Sequence, residues 1–135
     1  MTSKRVLVIG AAGNLGRRLV QEGQRQGNFI TALVRDKNVF GMKMTSDLLG
    51  NMHVVEGDIL SAYSIDKALD GQNIVINAAG NVNDGKPFSA LFDCVVSAVE
   101  RHPEVVKSWF LAGAAVLNIP HTKRIGIGLP FVPTI

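Results

Sequence analysis

Short apolar runs alternate with amphipathic stretches along most of this chain, and the alternation predicts five strands separated by helices. Residues 6–9 (Val-Leu-Val-Ile) are continuously apolar, the pattern of a strand covered on both faces. Residues 14–26 have helical periodicity, with Leu15, Leu19 and Val20 as the buried stripe and Gly27 as the stop. A second β-branched, apolar run covers residues 29–34. Residues 39–49 read as a weaker helix or loop, rich in methionine and broken by Gly41. A third strand at residues 52–55 ends on the Gly57-Asp58 turn. Ser61 then caps a helix reaching residue 69, whose inward positions are Ile65, Ala68 and Leu69. The fourth strand, residues 73–76, runs into Asn77-Ala78-Ala79-Gly80. Pro87 opens another helix with Leu91, Val95, Ala98 and Val99 on its apolar face, and residues 105–111 make the fifth strand. From Gly113 the periodicity dissolves, so residues 113–135 are expected to form an irregular apolar tail on a single domain spanning residues 1–135.

Strands that alternate with helices predict an α/β, Rossmann-type three-layer sandwich, a parallel sheet with helices on both faces. Right-handed crossovers favour the strand order 3-2-1-4-5. Ligands of such sheets bind beyond the carboxyl ends of the strands, between the first and the fourth. The loops carrying residues 10–16, Arg35, Asp58 and residues 77–80 all gather there.

The chemistry of that spot is set by Gly10-x-x-Gly13-x-x-Gly16, which follows a predicted strand and opens a predicted helix. Gly10 lets the strand turn, Gly13 admits a ligand to the backbone without a Cβ in the way, and Gly16 lets the helix pack closely. Backbone N–H groups and the positive end of a helix dipole then converge, as a dinucleotide diphosphate requires. No Gly-Lys-Ser/Thr follows, which excludes a P-loop. Arg35, nineteen residues after Gly16, suits a 2′-phosphate and favours NADP(H), with NAD(H) as the alternative.

Composition narrows the picture further. The chain has 135 residues with a net charge of +3 and no long basic run, so nucleic-acid binding is not indicated. Cys94 is the single cysteine, which rules out an internal disulfide and a Cys/His metal cluster. No apolar run is long enough for a bilayer and the amino terminus has no secretory pattern, so no membrane association and a cytoplasmic setting are expected.

The segments Val-Leu-Val-Ile-Gly-Ala-Ala-Gly-Asn-Leu-Gly16, Thr-Ala-Leu-Val-Arg-Asp36, Val-Val-Glu-Gly-Asp-Ile-Leu60 and Val-Ile-Asn-Ala-Ala-Gly80 resemble the atypical short-chain dehydrogenase/reductases, in particular their NAD(P)H-binding, NmrA-like group. The tail segments Phe-Leu-Ala-Gly-Ala-Ala-Val-Leu117 and Leu-Pro-Phe-Val-Pro133 also resemble reductase-like members. The resemblance implies that Gly10, Ala12, Gly13, Asn14 and Leu15 surround the diphosphate. It implies that Arg35, with Lys37 beside it, meets the adenosine 2′-phosphate, and that Asp58 and Ile59 bracket the adenine. Asn77, Ala78, Ala79 and Gly80 would line the path to the nicotinamide ribose. Each has a plainer alternative: Arg35 as a solvated strand-end charge or a partner of Asp36, Asp58 as a turn residue, Asn77 as a strand-end cap.

The implied activity is an NAD(P)H-dependent oxidoreductase acting on a small-molecule acceptor. The alternative is a non-catalytic NAD(P)-binding or redox-sensing module. Standard short-chain dehydrogenases use a Tyr-x-x-x-Lys pair, the lysine lowering the tyrosine pKa, on a helix after the fourth strand. Tyr63 and Lys67 have that spacing but precede the fourth strand, and Ala112-Gly113-Ala114 holds no serine after the fifth. No catalytic residue is assigned. His53 falls in a strand, His102 at a helix end and His121 in a loop nearer the substrate side; Cys94 reads as core. Gly126-Ile-Gly128 lacks a strand-and-helix frame and reads as loop. Relatives of this kind usually continue with further strands, and the apolar tail with Leu129, Phe131 and Val132 is expected to pack on another subunit or across the sheet edge.

Overall fold

β1 (Arg5–Ile9), β2 (Phe29–Val34), β3 (Met52–Glu56), β4 (Ile74–Asn77) and β5 (Lys107–Phe110) form one parallel sheet in the order β3-β2-β1-β4-β5. The structure is a computed structural model that describes residues 3–79 and 88–111. Gly80, Pro87, His121, the second Gly-x-Gly and the apolar tail lie outside the described residues. The helices are α1 (Asn14–Arg25), α2 (Lys37–Lys43), α3 (Ser46–Gly50), α4 (Ala62–Leu69) and α5 (Phe88–Glu100). The sheet order is the one expected from the alternation and the right-handed crossover rule.

β1 is the hub. Val6 lies opposite Ile30 on one side and Ile74 on the other, and Ile9 lies opposite Leu33 and Asn77. Both edges of the strand are therefore paired, and its two faces are buried in opposite cores, which is why its sequence is apolar without alternation. Leu7 and Ile9 join a core with α4 and α5 through Ile65, Leu69, Leu91 and Val95. Val6 and Val8 join the opposite core, under α1 and α2, with Val20 and Phe40. At the amino ends of the strands, side-chain amides extend the backbone pairing: Asn28 Oδ1 accepts from the Lys4 N–H at 3.1 Å and Asn73 Oδ1 from the Arg5 N–H at 3.1 Å.

Three local expectations are corrected. The methionine-rich segment forms two helices, and the break falls at Met44 and Thr45 and not at Gly41, which lies inside α2. The caps decide this: Asp36 Oδ1 accepts from the Asn38 and Val39 N–H groups at 2.8 and 3.1 Å, and Thr45 Oγ1 accepts from Leu48 N–H. In α1 the buried positions are Gly16 and Val20, whereas Leu15 is 43% exposed. The close approach of the helix at Gly16 turns Leu15 off the core. Finally, β5 is shorter than the apolar run predicts; Lys107, Ser108 and Trp109 are exposed, as fits a strand that, among the described residues, has a neighbour on one side. The Ser61 cap and the inward face of Ile65, Ala68 and Leu69 are observed as expected. Among the described residues no helix is long and apolar enough to cross a membrane.

One polar pair is sealed in the core under α4. Gln72 Nε2 donates to Thr31 Oγ1 at 3.1 Å, and both residues are buried. Gln72 Oε1 has no hydrogen-bond partner among the described residues. A half-satisfied buried amide is held at a cost, and removing only its partner raises that cost. Thr31→Val is expected to lose about 1–3 kcal/mol, whereas Thr31→Val with Gln72→Leu should recover most of that loss. Urea unfolding of the two variants measures the difference, and equal destabilisation would contradict this account.

Candidate functional site

The turn between β1 and α1 is built by two glycines that no other residue can replace. Gly10 has φ +75°, and a Cβ there would lie 2.7 Å from the Ala79 nitrogen. A Cβ on Gly16 would lie 2.1 Å from the Gly10 carbonyl oxygen. The end of β1, the first turn of α1 and the chain leaving β4 thus meet backbone to backbone. Gly13 differs: its added Cβ would find only the Gly10 oxygen, at an ordinary 3.5 Å. Its missing side chain keeps the surface above the turn clear and is not needed for internal packing. The Gly13 N–H bonds back to the Gly10 oxygen at 3.2 Å, and Gly13 is the N-cap of α1.

Above this junction lies a groove of about 660 Å³, within the size range of small-molecule sites. Gly10, Ala12, Gly13, Asn14 and Leu15 form its central wall. Leu33, Val34, Arg35, Asp36 and Val39 form one end, after β2. Gly57 and Ile59 come from the loop after β3, Ala78 and Ala79 from the end of β4, and Leu91 and Leu111 close the other side. The groove opens at the carboxyl ends of the strands, at the point where strand order reverses.

The residues singled out by sequence separate into two groups here. Gly10, Ala12, Gly13, Asn14, Leu15, Arg35, Ile59, Ala78 and Ala79 all line the groove. Asp58 and Asn77 do not. Asp58 Oδ1 accepts from the Leu60 N–H at 2.9 Å, closing the turn after β3. Asn77 is 2% exposed and its Oδ1 accepts from the Ala79 N–H at 3.1 Å, so it braces the loop from beneath. In both residues the short polar side chain folds back on its own turn, the bond that the plainer alternatives describe. Gly80 lies outside the described residues.

Charge around the groove is uneven. Asp36 lines the β2 end, but its carboxylate is engaged at the start of α2. Glu56 Oε2 accepts from the Lys37 N–H at 2.9 Å, so a second carboxylate is engaged at the same helix start. Two cations reach the glycine turn, and sequence reasoning missed both. Arg17 donates through Nε to the Gly13 oxygen at 3.4 Å and through Nη2 to Asn14 Oδ1 at 2.7 Å. Lys43 Nζ lies 3.5 Å from the Ala12 oxygen. The signal for Arg17 was its place one turn after Gly13; Lys43 is brought in by the fold of α2. At the other end the described lining, Ile9, Ala78, Ala79, Leu91 and Leu111, is apolar.

The Tyr63/Lys67 pair takes no part. Tyr63 is 77% exposed on α4 and is absent from the groove lining. Cys94 is half-buried against the α4/α5 core. His102 closes the end of α5, its Nδ1 2.8 Å from the Ala98 oxygen. Among the described residues no group of three or more His, Cys, Asp or Glu side chains could hold a metal ion. A second, smaller groove of about 300 Å³ lies beside the first, with Trp109, Leu19 and Ile76 in its wall.

A glycine-built turn, a groove at the switch point and a 3-2-1-4-5 parallel sheet define a Rossmann-type nucleotide-binding domain. The NAD(P)H-binding family model matches residues 10–108, and the chain belongs to that family. Its structural neighbours lie among the atypical short-chain dehydrogenase/reductases of the NmrA-like kind. It is 33% identical over 103 residues to the mitochondrial NADH-ubiquinone oxidoreductase 40 kDa subunit of Neurospora crassa, a match covering 76% of this chain and 27% of that protein. It is 36% identical over 103 residues to the mitochondrial NADH dehydrogenase [ubiquinone] 1 alpha subcomplex subunit 9 of Dictyostelium discoideum, covering 75% of this chain and 28% of the relative. Among solved structures, isoflavone reductase is similar with a TM-score of 0.64 and 26% identity, over 85% of this chain and 38% of the other. The chain therefore spans little more than a quarter of the length of these two relatives.

The glycine geometry makes a sharp stability prediction. Gly16→Ala should destabilise the domain by at least about 3 kcal/mol, because only backbone stands in the way of the new methyl group. Gly13→Ala, in the extended backbone region at φ −74°, should melt within about 3 °C of the parent. Thermal unfolding followed by circular dichroism compares the two, and similar melting of both variants would refute the assignment.

Proposed function

We propose that this chain binds a nicotinamide dinucleotide in the groove above the Gly10-Gly13-Gly16 turn, with a preference for NADP(H), and serves an NAD(P)H-dependent oxidoreductase function. The observation that carries the reading is the open surface over Gly13. The two flanking glycines are demanded by packing, whereas the third is demanded only if something must approach the backbone closely. The fit follows the lining. Gly10, Ala12, Gly13, Asn14 and Leu15 would take the diphosphate at the positive end of α1. Arg35 would take the 2′-phosphate, with Lys37 adjacent and NAD(H) accepted more weakly. Ile59 and Asp58 would bracket the adenine, with Gly57 beside them, Asp58 Oδ1 meanwhile closing its own turn. Ala78 and Ala79 would border the nicotinamide ribose; Gly80, assigned the same role by the resemblance, lies outside the described residues.

Bound there, the cofactor supplies hydride, and the chain's contribution is orientation and exclusion of water by the apolar end at Leu91 and Leu111. An acceptor able to take hydride directly, such as a flavin or quinone, suits an end without a proton-donating side chain among the described residues. The same apolar end favours a second reading, a dinucleotide-binding or redox-sensing module that performs no turnover. Self-association through the tail remains the proposal for residues 113–135.

Parallel calorimetric titrations with NADPH and NADH test the reading; Trp109 lies in the wall of the neighbouring groove, so heat is the better readout than its fluorescence. The expected result is tighter binding of NADPH, with Arg35→Ala lowering NADPH affinity by about tenfold or more and NADH affinity by less than about twofold. An unchanged NADPH/NADH ratio in that variant would remove Arg35 from the phosphate site. Turnover with quinone, flavin or dye acceptors under saturating NADPH separates enzyme from module.

A further inference from the structure

The first turn of α1 has the wrong charge for an isolated helix. Its N-cap is Gly13, which offers no capping side chain, and the turn carries no acid. Helix starts ordinarily attract carboxylates, and a cation placed beside one is disfavoured by the dipole. Arg17 nevertheless folds back over this turn, half-buried, and donates to both the Gly13 oxygen and Asn14 Oδ1. A guanidinium has donors and no acceptor, so the atom of the Asn14 amide that faces it must be oxygen. The amide nitrogen is then the atom that Arg17 does not engage, on a residue that lines the groove.

We propose that Arg17 is a positioning residue for the dinucleotide diphosphate, acting through Asn14: it fixes the amide so that the NH₂ group faces the groove, and it sets a cation behind the turn. This rests on the dinucleotide reading above and adds a residue that does not itself line the groove. The fork matters as well as the charge, because Nε holds the Gly13 oxygen while Nη2 holds Asn14. A lysine offers one nitrogen in place of this two-nitrogen fork, so it is expected to hold the pair less well. The arrangement serves the diphosphate common to NADP(H) and NAD(H), so it contributes affinity without choosing between them.

Calorimetry with NADPH and NADH on the full chain tests the proposal. Arg17→Ala should weaken both nucleotides by the same factor, about fivefold to tenfold, leaving their ratio unchanged. Arg17→Lys should recover less than half of the loss on a logarithmic scale. In a double-mutant cycle, Asn14→Ala combined with Arg17→Ala should cost little more than either alone. The melting temperature of the nucleotide-free Arg17→Ala variant should stay within about 3 °C of the parent, a readout that a merely structural role would move. Unchanged affinity in Arg17→Ala, full rescue by lysine, additive losses in the cycle, or a large drop in the nucleotide-free melting temperature would each overturn the proposal. Failure of the parent protein to bind either nucleotide would instead bring down the underlying reading.

Discussion

Backbone contact between three chain segments, at Gly10, Gly16 and Ala79, is the constraint on which the rest of this structure depends. It joins the end of the central strand to the start of α1 and to the exit from β4 with no side chain between them. Such contact fixes the direction of α1 over the sheet, and that direction decides which first-turn groups face the groove. Leu15 turns outward because the helix touches the sheet at Gly16, and Asn14 and Gly13 come to the rim for the same reason. The groove is less a cavity left between elements than a product of how closely two of them are made to touch.

Much of the fold was legible because β1, β2, α1 and α4 carry strong, simple patterns. Residues 6–9 of β1 are apolar without interruption, and Ser61 and Gly27 mark ends that the structure places where the residues suggest. The segment after β2 was harder, since its helices are short and are decided by Asp36 and Thr45 reaching back to backbone N–H groups. Propensity cannot weigh those bonds against one glycine at residue 41. In the groove, positions fixed by backbone geometry were readable in advance. The turn bonds of Asp58 and Asn77 were not, because a short polar side chain can face a ligand or its own turn with equal ease in sequence. Arg17 and Lys43 escaped notice because their relation to the turn is spatial: one side chain folds back along its helix and the other crosses from α2.

The two ends of the groove suit different tasks. At the β2 end, carboxylates are engaged by backbone N–H groups at the start of α2, so the acids found there stabilise the helix. Around the glycine turn, cations hold carbonyl oxygens and one amide. At the far end the lining is hydrocarbon, a setting that shields reacting groups from water and supplies little acid or base chemistry of its own. This division of the groove fits a nucleotide-binding domain.

The central position of β1 has a consequence for how the chain is made. β2 reaches it early, but its other edge waits for β4, about 65 residues further along, before Ile74 and Asn77 can pair with it. At ordinary ribosomal speeds of roughly 5–20 residues per second, the nascent chain carries that open, apolar edge for about 3–13 s. An unpaired edge of this kind invites strands from other chains. The placement that buries β1 in the finished protein therefore leaves one of its edges open while the chain is being made.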